Sequence, residues 1–429
     1  MLRPLSAWLR SHDFVILKHI GLASGARIYS TIVSMIAIAL TARWLGPEGR
    51  GIGVVVTTWV GLISTVTYLS LGQVCVHRAA KESDTDWLGP TVSALLWITL
   101  AATLLGWVAA ALLYVGGESV SFAGLPPAAL LIGFAALPFL IWEQYGSALM
   151  SIIGRVGAYN LSQVIARTIG LALLAVTIVG LGWGVNGFLL ASTIAQAIIS
   201  LVTLFILLGR ARGKLVGGLR LMGSLAKDGA KLHLNSIGVL LFSGVDILML
   251  NIFRGPADAA IFQLPNQVFL AMLLVPQSAV LILQSHVVGR SRAALWREQR
   301  TIMAIVIAGM TAVAGVLWLI APVIISILGS SGFEESASVF RIMLFAAPAA
   351  AFNTMMGLQW IVRGYFLRVS IITFAAGLFN CCLNLILIPR WGADGAACAT
   401  VAGIFAIPLV ANVALALKAE REQSGIAYG

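Results

Sequence analysis

Charge is what this sequence has least of. Lys, Arg, Asp and Glu make up 10% of its 429 residues, against roughly 25% in ordinary globular chains. So few charges cannot cover a water-soluble surface of this size. Histidine (5) and cysteine (4) are as scarce. Cys75, Cys381, Cys382 and Cys398 fall in apolar stretches without metal-ligand spacing, so they read as small packing residues, and neither disulfides nor a metal site is expected. Nucleotide-binding loops and nucleophile elbows are missing too. The links between apolar stretches are short, which disfavours a polymerase or ligase, whose chemistry needs a sizeable polar outer loop. The chain is therefore not expected to be an enzyme, nor to carry a cofactor.

What remains is apolar. Hydrophobic residues reach 60% and the mean hydropathy is +0.99. Runs of ~20 apolar residues, the length that crosses a bilayer as a helix, recur from end to end. The pattern predicts an all-α polytopic membrane protein of about twelve helices, near 20–44, 52–77, 90–114, 126–153, 157–180, 185–208, 230–253, 261–288, 301–328, 338–362, 368–389 and 394–417.

The chain also repeats itself. Trp183-Gly184-Val185-Asn186-Gly187 returns 208 residues later as Trp391-Gly392-Ala393-Asp394-Gly395. Gly46-Pro47 after the first apolar segment matches Gly255-Pro256 after the seventh, and Arg155 matches Arg363 in the short loop before the fifth member of each set. A six-helix unit written twice in the same direction is a transporter's layout, with the path between the halves. The expected organisation is an amphipathic segment 1–19, an N-lobe 20–208, a linker 209–229, a C-lobe 230–417 and a tail 418–429.

Basic residues set the orientation. With both termini inside, the inner segments collect most of the cations, among them Arg78, Arg155, Arg210, Arg292, Arg363, Arg368 and Lys418. The outer links keep only Arg43, Arg50, Arg254, Arg341 and Arg390. Both termini are thus expected in the cytoplasm. This asymmetry, together with anionic lipid headgroups, accounts for the net charge of +11 without nucleic acid. Residues 1–19, with Leu5, Trp8, Leu9 and Phe14 among Arg3, Arg10 and Lys18, read as an interfacial helix rather than a cleaved signal peptide.

Polar residues inside the membrane are costly and ask for a reason. Ser24, Arg27, Thr31 and Ser34 form one stripe on the first helix, and Asn160, Gln163 and Arg167 another on the fifth. Ser236, Ser243 and Asp246 share a face of the seventh; Thr373, Asn380 and Asn384 share one of the eleventh. Such stripes either line a wet cavity or glue helices together; arginine favours the cavity, because a guanidinium needs water, an anion or a carboxylate. Glu143 and Arg167 each lie twelve residues from the Arg155 turn. At ~1.5 Å per residue that is about 18 Å, near the midplane of a ~30 Å core. An ion pair between them is geometrically allowed, and a purely structural bridge is the alternative. By the repeat offset Arg27 corresponds to Ser236 and Arg167 to Ala375, so both buried cations belong to the first half. That predicts a cationic wall facing a polar, mostly uncharged one. Pro265 and Pro276, beside Gln263, Asn266, Gln267 and Gln277 in one helix, are the expected hinge; Pro138, Pro322, Pro348 and Pro408 mark further bends.

Leu22-Ala23-Ser24-Gly25-Ala26-Arg27, Ala42-Arg43-Trp44-Leu45-Gly46-Pro47-Glu48-Gly49-Arg50-Gly51, Leu71-Gly72 and Arg78-Ala79-Ala80-Lys81 together resemble the start of Wzx-like polysaccharide-repeat flippases. These are relatives of the lipid II flippase and of multidrug and toxin extrusion (MATE) transporters. The Gly184/Gly187 turn and its Gly392/Gly395 echo add to the likeness. The resemblance implies V-shaped six-helix lobes that alternate access. It implies transport of an undecaprenyl-diphosphate-linked oligosaccharide repeat from the cytoplasmic to the periplasmic leaflet of a bacterial inner membrane, for O-antigen or exopolysaccharide. A polymerase or co-polymerase is the implied partner beside membrane lipids, and an H+ or Na+ gradient the implied drive. Arg27 matches the cation such flippases place in the first helix; Arg167, Ser24, Thr31, Gln163, Asn380 and Asn384 follow as substrate contacts by stripe geometry, and Asp246 or Glu143 as the ion-coupling acid. A diphosphate suits arginine, which binds it bidentately. The competing reading is an ion-coupled drug or metabolite antiporter on the same fold.

Overall fold

The computed structural model describes residues 13–79, 87–116, 122, 124–211, 218–285, 287 and 291–423, with side chains from residue 25 on except at 77, 218–220, 228, 230–232 and 285. Most of the interfacial segment 1–19, part of the 209–229 linker and the end of the tail lie outside the described residues, as does the Ser24 side chain. Every element is a helix, with no strand among the described residues.

In chain order these are α1 (Asp13–Thr67), α2 (Leu71–Ala79), α3 (Leu88–Gly116), α4 (Pro127–Phe134), α5 (Leu137–Ile152), α6 (Val156–Leu174), α7 (Gly184–Arg210), α8 (Gly218–Ser243), α9 (Val245–Arg254), α10 (Pro256–Met272), α11 (Leu274–Ser285), α12 (Arg292–Leu319), α13 (Ala321–Leu328), α14 (Ser336–Leu344), α15 (Ala347–Val362), α16 (Phe366–Ile404) and α17 (Val410–Gln423). Short π-helical turns, Ala175–Gly180 and Phe405–Leu409, extend α6 and join α16 to α17.

Among the described residues eight helices are long and apolar enough to cross a membrane, or ten if each bent pair is one span. The sequence reading of twelve arises by cutting the two longest. One runs Gly25–Thr67 (43 residues) and the other Phe366–Gln423 (58 residues). At ~1.5 Å per residue they are about two and three times as long as a ~30 Å core requires. Each is also interrupted by a glycine whose φ/ψ is not helical, Gly46 and Gly392. The outer faces are greasy: Leu112, Val115, Ile305 and Leu319 are 68%, 80%, 68% and 69% exposed. Water would not tolerate an apolar surface this extensive, whereas lipid solvates it. The chain is a multi-pass membrane protein.

The duplication is written into the backbone. Among the described residues nine glycines hold φ in the left-handed region, and eight of them form pairs across the repeat: Gly46/Gly255, Gly124/Gly332, Gly154/Gly364 and Gly184/Gly392. Their offsets of 208 to 210 residues follow from the numbering. Only glycine adopts that conformation without steric cost. The Trp-Gly-Xaa-Xaa-Gly motif now has a physical meaning. Its first glycine turns the chain at φ +54 in both copies, and its second has no room for a side chain. A Cβ on Gly187 would meet Thr177 at 2.9 Å, and one on Gly395 would meet the Leu387 carbonyl oxygen at 2.4 Å.

The two halves touch at both ends of the molecule. At the Gly46 end the meeting is pseudo-symmetric: Gly124 approaches Pro256, and Gly332 approaches Pro47. A Cβ on Gly51 would lie 1.8 Å from the Pro256 carbonyl oxygen, so the backbones are in direct contact. Arg43 Nη2 donates to the Ile327 carbonyl (2.6 Å) and Ser330 Oγ to that of Ala42 (3.0 Å). At the opposite end Tyr68 donates to Ser236 Oγ (2.9 Å), and Ser70 Oγ lies 3.1 Å from His233 Nδ1. Leu69 and Ser70 hold positive φ (52 and 51) to place that hydroxyl, a strained conformation for side chains of this size.

The hinge prolines fall away from the sharp bends. Pro265 is buried inside continuous α10, and Pro276 lies just past the break at Leu273. Among the described residues, the helix pairs that could each form one bent span are α8 with α9, broken at Gly244 (41°), and α14 with α15 (53°). The second has a counterpart between α4 and α5. Phe134-Ala135-Ala136-Leu137-Pro138 and Phe345-Ala346-Ala347-Pro348 both break a helix just before proline.

Candidate functional site

Polar side chains gather in two clusters, one in each half, and in a buried clamp between the halves. In the first half Glu143 on α5 accepts from Tyr159 Oη (3.0 Å) and Gln163 Nε2 (3.2 Å) of α6. It also accepts from Gln196 of α7. Arg167 and Glu143 line the same cavity of about 230 Å³, but no ion pair joins them. Neutral donors hold the carboxylate instead. Arg167 is exposed and reaches Ser34 Oγ on α1 at 3.3 Å, beside a 2.6 Å bond between Tyr29 and Thr168. Ser34 lies two helical turns from Arg27 on the same face. Arg27 is exposed and makes no side-chain hydrogen bond or ion pair among the described residues. Thr31 turns its hydroxyl back to the Arg27 carbonyl (2.9 Å).

The sequence stripe on α6 therefore divides. Gln163 belongs to the Glu143 cluster, whereas Arg167 stands with α1. The two arginines expected to share a wall do lie on adjacent helices, and neither meets a carboxylate among the described residues.

In the second half the expected residues converge closely. Asp246 on α9 accepts from Asn384 Nδ2 (2.5 Å) on α16 and from Thr400 Oγ1 (3.1 Å) beyond the Gly392 break. Asn384 Nδ2 also donates to Asn380 Oδ1 (2.9 Å). Asp246 is 2% exposed, and Asn380 and Asn384 are 0% exposed. The break at Gly244 starts α9 one residue before Asp246, so the first turn of a helix, whose dipole favours anions, carries the carboxylate. Asn384 Oδ1 and Asn380 Nδ2 are buried without a hydrogen-bond partner. Asp246 and Thr400 border a cavity of about 300 Å³ that extends past Asn353 to Trp360 and Asn412. There Trp360 donates to Asn412 Oδ1 (2.6 Å) and Asn412 to Asn353 Oδ1 (2.8 Å).

Sequence reading missed Thr400 and Asn412, although they are conspicuous polar residues in an otherwise apolar segment. It also placed Arg50 among loop cations. Arg50 is 3% exposed and crosses the seam, donating from Nη2 to Gln263 Oε1 on α10 (2.5 Å), and to Thr41 and the Ile38 carbonyl (3.2 Å) on α1. No spacing marks such a contact, because Gln263 is 213 residues away.

The chain matches the family described as "Polysaccharide biosynthesis protein" over residues 16–285. It belongs to that family. No curated protein matches this family member significantly in sequence. Among solved structures it is similar to the lipid II flippase MurJ in an inward closed conformation, with TM-score 0.74, 14% identity, and 94% and 90% of the two chains covered. It is also similar to a multidrug-resistance MATE transporter of the MOP superfamily, inward-facing (TM-score 0.73, 15% identity, 92% and 95% covered). A MOP-superfamily transporter from Pyrococcus furiosus, described as having a binding pocket of reversed polarity, aligns at TM-score 0.58 (17% identity, 96% and 99% covered). At such identities the likeness establishes the fold. This polysaccharide biosynthesis protein shares the MATE/MurJ architecture of paired helical halves.

Proposed function

We propose that the protein flips an undecaprenyl-diphosphate-linked oligosaccharide repeat from the cytoplasmic to the periplasmic leaflet of a bacterial inner membrane, as a transporter that makes and breaks no covalent bond. The observation that carries this reading is Arg27 and Arg167, exposed on adjacent apolar helices of a polysaccharide-biosynthesis family member without a carboxylate partner. Uncompensated guanidinium at membrane depth is expensive, and a diphosphate offsets it with charge-assisted bidentate bonds. The lobes 20–208 and 230–417 rock about the seam, opening the Gly46 end and the opposite end in turn, with both termini cytoplasmic.

Asp246 couples the cycle to an ion gradient. It is enclosed, and its carboxyl group has amide and hydroxyl oxygens of Asn380, Asn384 and Thr400 around it. Such oxygen donors suit a proton or a small hard cation, and a rotated Asn384 amide turns its orphaned oxygen towards the carboxylate's guest. In this scheme Asn380 and Asn384 serve the ion rather than the sugar lipid.

The test is complementation. In a strain deleted for the gene, wild type restores surface polysaccharide and clears accumulated lipid-linked repeats, whereas Arg27→Ala at matched membrane level does not. Rescue by both removes Arg27 from the mechanism. A glycolipid pool unaffected by deletion removes the flippase reading altogether. The antiporter alternative is favoured by one observation, a cavity-lining carboxylate in each half. Efflux of cationic dyes from proteoliposomes, abolished by Glu143→Gln or Asp246→Asn, decides for it.

A further inference from the structure

At the turn between α15 and α16 in the second half, a second anion-seeking place is assembled. Tyr365 carries two cations over its ring, Arg368 with its guanidinium carbon 4.7 Å from the ring centroid and Lys418 with its ammonium at 5.3 Å. Lys418 Nζ also donates to the Tyr365 hydroxyl at 2.9 Å. Below them opens a cavity of about 430 Å³ with apolar walls that include Trp360, Ile372 and Leu415.

The charge around this pocket is not balanced. Arg363, whose side chain is 3% exposed, is engaged by Glu422 at 2.8 Å and by Gln359. Glu420, the other acid of α17 described here, is held by Arg300 and by Trp296 Nε1 (2.8 Å). Arg368 and Lys418 are left without a carboxylate among the described residues. Together with Arg363 they lower the Tyr365 phenol from its ordinary value, Lys418 through its hydrogen bond and charge first, then Arg368 and Arg363. Arg368 also lies in the first turn of α16, where the helix dipole opposes a cation. Two like charges drawn over one ring beside an apolar groove form the complement of an anionic head with a hydrocarbon tail.

At the repeat offsets of 208 to 210, Tyr365 falls on Arg155 to Gly157, Arg368 on Ala158 to Asn160 and Lys418 on Leu208 to Arg210, so the ring itself is not repeated in register although a cation at the Lys418 place can be.

We infer that the Tyr365–Arg368–Lys418 pocket binds an anionic diacyl phospholipid of the surrounding bilayer, its phosphate between the two cations and an acyl chain along Trp360, Ile372 and Leu415. The pocket shares Trp360 and Ile372 with the Asp246 cavity, and its apolar walls, continued by the 52% exposed Ile371, fit a resident lipid tail rather than a sugar cargo.

The experiment is native mass spectrometry of the full-length protein titrated with phosphatidylglycerol, with phosphatidylcholine as the neutral lipid. Wild type retains phosphatidylglycerol in preference to phosphatidylcholine. The double variant Arg368→Ala/Lys418→Ala binds it roughly thirtyfold more weakly, from about 1 kcal/mol for each cation near a lipid surface. Arg368→Lys/Lys418→Arg retains binding, and so does Arg155→Ala/Arg297→Ala, which removes the same charge elsewhere. All four residues changed are at the surface, and a monodisperse elution profile checks folding. Affinity unchanged within about threefold in the alanine pair, or an equal loss in the distant pair, overturns the site. Displacement of phosphatidylglycerol by farnesyl diphosphate at lower concentration overturns the resident lipid in favour of an isoprenoid diphosphate, and displacement by inorganic phosphate overturns the acyl contribution. None of these readouts involves transport, so failure here leaves the flippase reading intact.

Discussion

Arg50 is the most informative residue to perturb, because it is buried, charged and bridges the two halves. Its Nη2 donates to Gln263 Oε1 at 2.5 Å, and Gln263 is itself only 8% exposed. Gln263→Leu removes that acceptor and leaves a guanidinium group facing hydrocarbon in the closed seam. A hydrogen bond to a charged group contributes about 1.5–3 kcal/mol, and the loss falls on the closed state alone, since an open seam hydrates Arg50. The open population should then rise roughly ten- to a hundredfold. Arg50→Met/Gln263→Leu removes both partners and replaces them with apolar volume, so most of the closed population should return. The asymmetry follows from the physics of buried charge, where breaking a pair costs more than replacing it.

The assay is maleimide labelling of Ala42→Cys in a background where Cys75, Cys381, Cys382 and Cys398 are serine or alanine. Ala42 is 0% exposed and its carbonyl accepts from Ser330 across the seam, so labelling reports opening. The reasoning fails if Gln263→Leu labels as slowly as its parent. It fails equally if the double variant labels as fast as the single one.

Further expectations concern single sites. Gly51→Val drives a side chain into the Pro256 carbonyl, which a Cβ would already meet at 1.8 Å; it should speed Ala42→Cys labelling as strongly as Gln263→Leu, and a silent Gly51→Val would show that the backbones do not touch. Glu143→Ala strands the donors of Tyr159, Gln163 and Gln196, costing about 1–3 kcal/mol, whereas Glu143→Gln costs less; thermal unfolding in detergent ranks the two, and the reverse order would refute the cluster. Asp246→Asn keeps shape and hydrogen-bonding capacity, so its melting temperature should stay near wild type while gradient-driven transport in proteoliposomes is lost. Retained coupling would move the ion site elsewhere.

The fold was legible because its determinants are periodic and chemical. Apolar runs and two Trp-Gly-Xaa-Xaa-Gly motifs give the helices and the duplication, and positive-φ glycines explain why those motifs recur. Asp246, Asn380 and Asn384 were legible for a similar reason, since polar residues in apolar helices stand out. Their mutual contact was not, because it depends on how α9 packs against α16. The same limit hid Arg50. In sequence it is one more arginine in a Gly-Pro-Glu-Gly-Arg-Gly link, and only the approach of α10 buries it. The hinge reading rested on proline, whereas the bends in the structure also involve glycine. The sharp bends lie at Gly244 and before Pro348, where glycine or a chain break frees carbonyls, whereas Pro265 is accommodated inside a packed helix.

What the duplication retains and what it lets diverge are different kinds of residue. The paired glycines set turns and close approaches, and these are identical in both halves because both halves must fold alike and meet about a common axis: Gly124 to Pro256, Gly332 to Pro47. The charges are not paired. Arg27 and Arg167 have no cationic counterpart in the second half, and Asp246 corresponds to Ala37 in the first. A symmetric scaffold with asymmetric charge bears on the proposed mechanism. In that proposal an anion drawn to the arginines and a cation drawn to Asp246 act on different halves, so each would bias the same seam from its own side. Coupling then requires no contact between the two ligands, only that both occupied halves prefer the same closure at the Gly46 end.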